Sequence, residues 1–431
     1  MNKELSFPRM LGVPQSGTPQ RVFILRKKMG GESDCIQKGH AQIMKAIVNT
    51  KLIMEDGIIW DGAVLIDGDK IAAAGWRDEV QIPEGTERID AGGKYTAPGF
   101  VDIHCHGCGP ANFDETPVRC AEHFLKHGTT TVLPTFYANM SLEGMLEGAK
   151  RVKQASLSGA GRIMNGLYME GPFMNGSGSF QSGMKWRPGT HAEDYMPLVD
   201  GLGDMVRVWA IDPDRENIEE FMAYAKKVNP NVLFAVGHSN ASYEACKRLE
   251  HYGLRVRTHI CDGGNCGGAV KGLNGAGGDE YALYNPDVYA ELICDRNAVH
   301  VVPGLVKLYA RTKGVEKMIL ITDSMCDKSN GAYKNDPERV PFGPDLNYDE
   351  TGWLAGSHLT MDNACRNMMT HSGYGLCHAV RMASLNPAKL LGLDQQIGSI
   401  AAGKTANLLL MDDAIHIEKV FLQGECAVDN A

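Results

Sequence analysis

His104-Cys105-His106 closes the apolar run FVDI. In an extended strand, residues two apart project to the same face, so both imidazoles can meet one cation. The pair alone is a weak signal, because 14 histidines in 431 residues supply a His-x-His by chance in about one of every two or three such chains. More groups of the same chemistry follow: Glu170 ends GLYME, His238 ends VLFAVGH, His259 ends RVRTH and Asp323 ends MILITD. Each is a ligand or base suited to a divalent ion. One histidine after a strand is more often a hydrogen-bonded core or rim side chain. A set of such groups at successive strand ends points instead to a metal centre. That set suits hydrolysis: a divalent ion acidifies water and polarises a carbonyl, and a nearby carboxylate takes a proton and returns it to the leaving group. Asp323 is the candidate for the proton transfer.

Groups so far apart in sequence need a scaffold that gathers them. From about residue 98, apolar strand-like runs alternate with helical stretches: FVDIHCHG, TTTVLPTF, NGLYMEG, MVRVWAID, VLFAVGH, RVRTHICD, the ELICD to HVVP region and MILITDS. About eight such units in some 300 residues predict a parallel, closed (β/α)8 TIM-like barrel over residues 98–397, with the polar residues at the downstream ends of the strands, where barrel loops assemble active sites. Before it, residues 44–97 hold short β-rich runs divided by Asp-Gly, Gly-Asp and Gly-Gly turns, and β-like text returns in ANLLLMDD and IEKVFLQG. Residues 44–97 and 398–431 are therefore expected to form one small β-sandwich from both ends of the chain. Residues 1–43 have no sustained periodicity and read as an extension.

Composition narrows the partners. Lys+Arg 43 against Asp+Glu 52 gives a net charge of -9, the wrong sign for a phosphate-backbone binder, so no nucleic acid is expected. No apolar run of about 18 residues suggests a membrane span, and no signal peptide is evident, which points to the cytoplasm. The 12 cysteines lack paired zinc spacing and are expected as thiols.

The motifs PGFVDIHCHG, HGTTTVLPT, YMEGPF, GTH, GHSNA, TDSM, LAGSHLTM and NPAKLLGL, in this order from Met44 onward, resemble the N-acetylglucosamine-6-phosphate deacetylases of the amidohydrolase superfamily. The resemblance implies a metal-dependent hydrolase that releases acetate from an N-acetylated amino sugar. It also implies that Glu170, His238 and His259 bind one divalent ion, and that His104 and His106 can bind a second. Zinc is the first choice, with iron, manganese and cobalt as alternatives. Asp323 matches the catalytic acid/base, and His191 a histidine that polarises the acetyl carbonyl. His300 matches a sugar contact, Thr190 and Leu354, Ala355, Gly356 and Ser357 the pocket wall, and a homodimer is implied.

Two departures bear on the substrate. Where the family reads His-Leu-Phe/Tyr-Asn-Ala-Met, this chain reads His259-Ile260-Cys261-Asp262-Gly263-Gly264, so Asp262 and Gly263 stand at substrate-binding positions and Asp262 brings negative charge toward a phosphate site. Lys271 and Arg296 are the cations available to replace the family's arginine. The second reading is a divergent amidohydrolase acting on a non-phosphorylated or differently configured N-acetyl sugar or another amide. A non-catalytic assembly protein on the same fold is the third, and the retained ligand set speaks against it.

Overall fold

The structure is a computed structural model that describes residues 44–174, 185–264, 275–326, 343–349 and 353–430. The extension expected over residues 1–43, and Lys271, lie outside the described residues.

The eight expected apolar runs form one eight-stranded sheet. Its strands, in chain order, are Phe100–Cys105, Thr129–Tyr137, Leu167–Glu170, Val206–Ile211, Leu233–Val236, Leu254–Arg257, Tyr289–Ile293 and Met318–Ile321. Each pairs in parallel with the next. Strands covered on both faces are mostly apolar, and the first, third, seventh and eighth are buried at every residue.

The ring is nearly closed, and side chains span the remaining seam between the first and eighth strands. Asp102 accepts from the Thr322 hydroxyl at 2.6 Å, and the Asp323 amide donates to the His104 carbonyl at 2.9 Å. Beyond the strands, the His106 and Gly107 amides both donate to the Ser324 carbonyl. Burial pushes the Asp102 carboxyl up to about 7, with the Thr322 hydroxyl acting in the opposite direction. The seam therefore fixes His104, His106 and Asp323 against one another.

The outer helices follow from amphipathic spacing. In Leu142–Ala155 the buried residues Met145, Gly148, Ala149 and Val152 recur at helical spacing, and Ser141 caps the helix by accepting from the Gly144 amide.

Both chain ends enter a second sheet. Leu408–Met411 pairs antiparallel with Tyr95–Pro98, and the sheet runs on through Lys45–Ile53, Ile58–Asp67 and Lys70–Trp76 on one side and Ile417–Leu422 and Glu425–Asp429 on the other. Alternation along these strands feeds different cores. Leu408, Leu410 and Phe421 pack with Ile47, Val64 and Ile66, whereas Leu409, Met411, Val420 and Leu422 pack into the barrel's own core.

Candidate metal centre

The positions of the polar groups follow from the strand ends. Glu170 is the last residue of the third strand, and His238, His259 and Asp323 are each the second residue beyond the fifth, sixth and eighth. All three post-strand residues have positive φ: 44° at His238, 26° at His259 and 48° at Asp323. Residues with a Cβ avoid this region at a cost of about 1–3 kcal/mol each, and such strain persists only where the surrounding structure over-determines it. Three occurrences at the same point of three different strands mark a site whose geometry is imposed.

These groups converge on Glu170. Its Oε1 lies 2.9 Å from His238 Nε2, 3.0 Å from His259 Nε2 and 3.6 Å from His104 Nε2, while Oε2 lies 3.2 Å from His106 Nε2. Asp323 Oδ1 lies 3.1 Å from His106 Nε2 and 3.5 Å from His104 Nε2. All six residues are buried. Two triads, His104/His106/Glu170 and Glu170/His238/His259, each offer one donor atom apiece within 4.8 Å of the others, and Glu170 belongs to both.

The rings are held from behind. His104 Nδ1 faces Glu291 Oε2 at 3.2 Å, His106 Nδ1 faces the Thr135 carbonyl at 3.1 Å, and His259 Nδ1 faces the Asp262 carbonyl at 3.2 Å. Each of these partners accepts, so Nδ1 carries a hydrogen and Nε2 faces the centre, where it can offer a lone pair to an ion on losing its proton. His104 Nε2 and Asp323 Oδ1 are fully buried, and their nearest polar neighbours are other members of the cluster.

The electrostatics ask for positive charge at the same point. Burial would raise Glu170, but the charge on His104 and hydrogen bonds from His104, His106 and His238 hold it well below the carboxylate range. Burial would lower His106, but Asp323 and Glu170 push it up to about 9. Four inward-facing Nε2 atoms around two buried carboxylates fit a divalent cation, and a mixed imidazole and carboxylate set suits a borderline ion.

The remaining predicted residues divide into those joined to this cluster and those set apart. Asp262 joins it through its backbone carbonyl, since its side chain accepts from the Gly263 amide at 2.8 Å. Gly263, at φ 62°, lies against two of the rings: a Cβ there would come within 2.7 Å of His238 Cε1 and Nδ1 and 2.9 Å of His259 Cε1. Gly263→Ala is therefore expected to displace both imidazoles and weaken divalent-ion binding by roughly tenfold or more, read by titrating chelator-stripped protein with Zn2+. Unchanged affinity would show that the rings tolerate the shift.

Ser357 ties the seam by donating to the Thr322 carbonyl at 2.5 Å and, through its amide, to the Asp323 carbonyl at 2.8 Å. Leu354, Ala355 and Gly356 belong to the same strand, Leu354–Ser357. His300 is buried between Asp295 Oδ2, 3.0 Å from Nδ1, and the Gly356 carbonyl, 3.2 Å from Nε2. Burial opposes its charge, but the Asp295 hydrogen bond raises its pKa.

His191 and Thr190 are not brought into the cluster. His191 Nε2 lies 3.0 Å from the Pro188 carbonyl at the start of helix Ala192–Leu202, and Thr190 Oγ1 is buried without a partner. Arg215 anchors this stretch by donating to the carbonyls of Met174, Arg187 and Gly189. Arg296 stands close to His300 in sequence, and its backbone amide donates to Asp345.

A model of the amidohydrolase family matches residues 95–429, spanning the barrel and the returning C-terminal strands. The chain belongs to the amidohydrolase family. Among relatives, this amidohydrolase is 28% identical to the N-acetylglucosamine-6-phosphate deacetylase of Haemophilus influenzae, over 88% of this chain and 98% of that protein. It is also 28% identical to the N-acetylgalactosamine-6-phosphate deacetylase of Escherichia coli O157:H7, over 88% and 97%. The crystal structure of the N-acetylglucosamine-6-phosphate deacetylase from Pasteurella multocida superposes with a TM-score of 0.75 at 25% identity, covering 89% of this chain and 99% of that one. The resemblance expected from the motifs is borne out, as is the barrel fold.

Sequence reasoning missed three acidic residues around this amidohydrolase's site: Asp102, Glu291 and Asp295, each fully buried. Their signal was present. All three stand within or just beyond largely apolar strands, FVDIHC and YAELICD, where a charge has to be justified by a partner.

Proposed function

We propose that this chain is a divalent-metal-dependent deacetylase that hydrolyses the acetamide of N-acetylglucosamine 6-phosphate, giving acetate and the amino sugar phosphate. The observation that carries this reading is the convergence of four imidazole Nε2 atoms on Glu170 with the Asp323 carboxylate beside them. Glu170, His238 and His259 would hold one ion, and His104 and His106 with Glu170 a second. A bound divalent ion supplies Lewis acidity, which acidifies water and polarises an amide carbonyl.

The chain's own groups supply the remaining chemistry. Asp323 Oδ1 holds the proton taken from water and delivers it to the departing amine nitrogen. His300, fixed by Asp295 through Nδ1, would contact the sugar through Nε2 in exchange for the Gly356 carbonyl, and residues Leu354 to Ser357, with Asp262 and Gly263, wall the pocket. His191 is assigned to the acetyl carbonyl and Thr190 to the pocket wall, a role that requires His191 Nε2 to leave the Pro188 carbonyl. Zinc is the proposed ion, and a cytoplasmic homodimer the proposed form.

A second reading, with N-acetylgalactosamine 6-phosphate as substrate, follows from the equal identity to the Escherichia coli deacetylase. Initial rates of acetate release from both sugars, with and without the 6-phosphate, separate the possibilities. The expected result is that N-acetylglucosamine 6-phosphate exceeds its free sugar in kcat/KM by roughly 100-fold, the value of about two charge-assisted phosphate contacts, and that a chelator stops release. Equal rates on free and phosphorylated sugars would reject the phosphate. Chelator-insensitive release would reject the metal.

A further inference from the structure

Glu291 lies in the middle of the seventh barrel strand, Tyr289–Ile293, and is 0% exposed. A lone carboxylate in such a place is costly, and an apolar residue of similar volume would usually serve stability as well or better. Its contacts are specific. One oxygen, Oε2, sits 3.2 Å from His104 Nδ1 and accepts from the backbone amide of His259 at 3.3 Å. That single atom links the imidazole of the first strand to the backbone just beyond the sixth, and so ties a histidine of one triad to a histidine of the other. The other oxygen, Oε1, is buried with no hydrogen-bond partner. Glu291 thus does more than satisfy a neighbour: it places a carboxylate one ring's width behind His104 Nε2, the inward atom that faces Glu170 at 3.6 Å and Asp323 at 3.5 Å.

We propose that Glu291 is the positioning residue of the His104/His106 ion site, fixing the Nδ1–H tautomer of His104 so that Nε2 is a lone-pair donor, and raising its affinity for a second divalent cation. A carboxylate hydrogen-bonded behind a ligating imidazole fixes the ring's orientation and raises its basicity toward the metal. His106 has only a neutral carbonyl behind it. Of the two rings, His104 is therefore the one whose donor strength depends on a charge. The inference rests on reading this pair as an ion site.

The test uses the full chain, stripped with a chelator and titrated with Zn2+ alone. Wild-type protein is expected to take two ions. Glu291→Gln, which keeps the shape but not the charge, is expected to weaken one of them by about 10–100-fold and to leave the other within about twofold. His104→Gln is expected to weaken the same ion, and adding Glu291→Gln to it to change affinity by no more than about twofold, because the carboxylate acts through that ring. Wild-type affinities in Glu291→Gln, or a further large loss on the His104→Gln background, overturn the proposal. Nitrogen-15 histidine spectra of zinc-loaded wild-type protein give a reading that needs no Glu291 variant: Nδ1 of His104, assigned by the resonance missing from His104→Gln, is protonated if the proposal holds, and the opposite tautomer overturns it. A chain that binds two ions with this pattern but releases no acetate ends the deacetylase reading and leaves the role of Glu291 standing. A chain that releases acetate with one ion per chain does the reverse.

Discussion

Asp323→Asn is expected to lower kcat for acetate release by about 10³-fold or more, the upper range for removing a general acid/base, while changing KM little. The substitution is nearly isosteric, and the backbone of residue 323 carries the local structure. Its amide donates to the His104 carbonyl and its carbonyl accepts from the Ser357 amide, and both bonds survive in the variant. What is lost is a carboxylate that is 6% exposed, with Oδ1 at 3.1 Å from His106 Nε2. Burial would raise the Asp323 pKa, but the His106 hydrogen bond and the charges on His104 and His106 hold it below the usual value, so it is ionised and able to accept a proton at neutral pH. An amide oxygen in its place cannot carry that proton to a leaving amine. The ion proposed for Glu170, His238 and His259 should be retained in the variant, which metal analysis of the purified protein checks. A variant with normal metal content and more than about a tenth of wild-type kcat would move the proton transfer to another group.

The contrast between Asp323 and Glu291 shows what a sequence reveals of such a site and what it conceals. Residues at the ends of apolar runs are conspicuous because strand periodicity places them: once RVRTH and MILITD read as parallel strands, His259 and Asp323 must emerge at the same rim. The barrel and the return of the C-terminal strands to the sheet begun near Met44 follow from the same alternation of apolar runs and turns. Glu291 was hidden because it interrupts a strand instead of ending one, and its meaning depends on a ring 187 positions earlier in the chain. The positive φ at His238, His259 and Asp323 was equally illegible, since nothing in the local text of a histidine or aspartate demands a left-handed backbone. His191 illustrates the opposite limit. Its motif matched, but residues 175–184 precede its loop outside the described structure, and the described part ties its Nε2 to Pro188. Motif matching supplies a role for such a residue without supplying the position from which to perform it.

Glu170→Gln is expected to be more severe than Asp323→Asn, and for a different reason. Glu170 is the sole residue common to both donor triads among the described residues, and its two oxygens divide the work: Oε1 faces His238, His259 and His104, and Oε2 faces His106. An amide keeps one weak oxygen donor and replaces the other with an N–H group aimed at imidazole lone pairs. The same change removes the charge that balances a dication among buried groups. Both ions should therefore weaken together, each by at least about 100-fold, beyond the effect of losing an outer partner such as Glu291. Acetate release should fall to that of chelated wild-type protein and should not recover with added Zn2+ at concentrations that restore the stripped wild type. The two variants then differ in kind: Asp323→Asn leaves a loaded protein that cannot move a proton, and Glu170→Gln leaves a protein that cannot be loaded. If Glu170→Gln kept one ion at wild-type affinity, the four imidazoles would have to form a site without it, and the shared carboxylate would lose its place at the centre of the reaction.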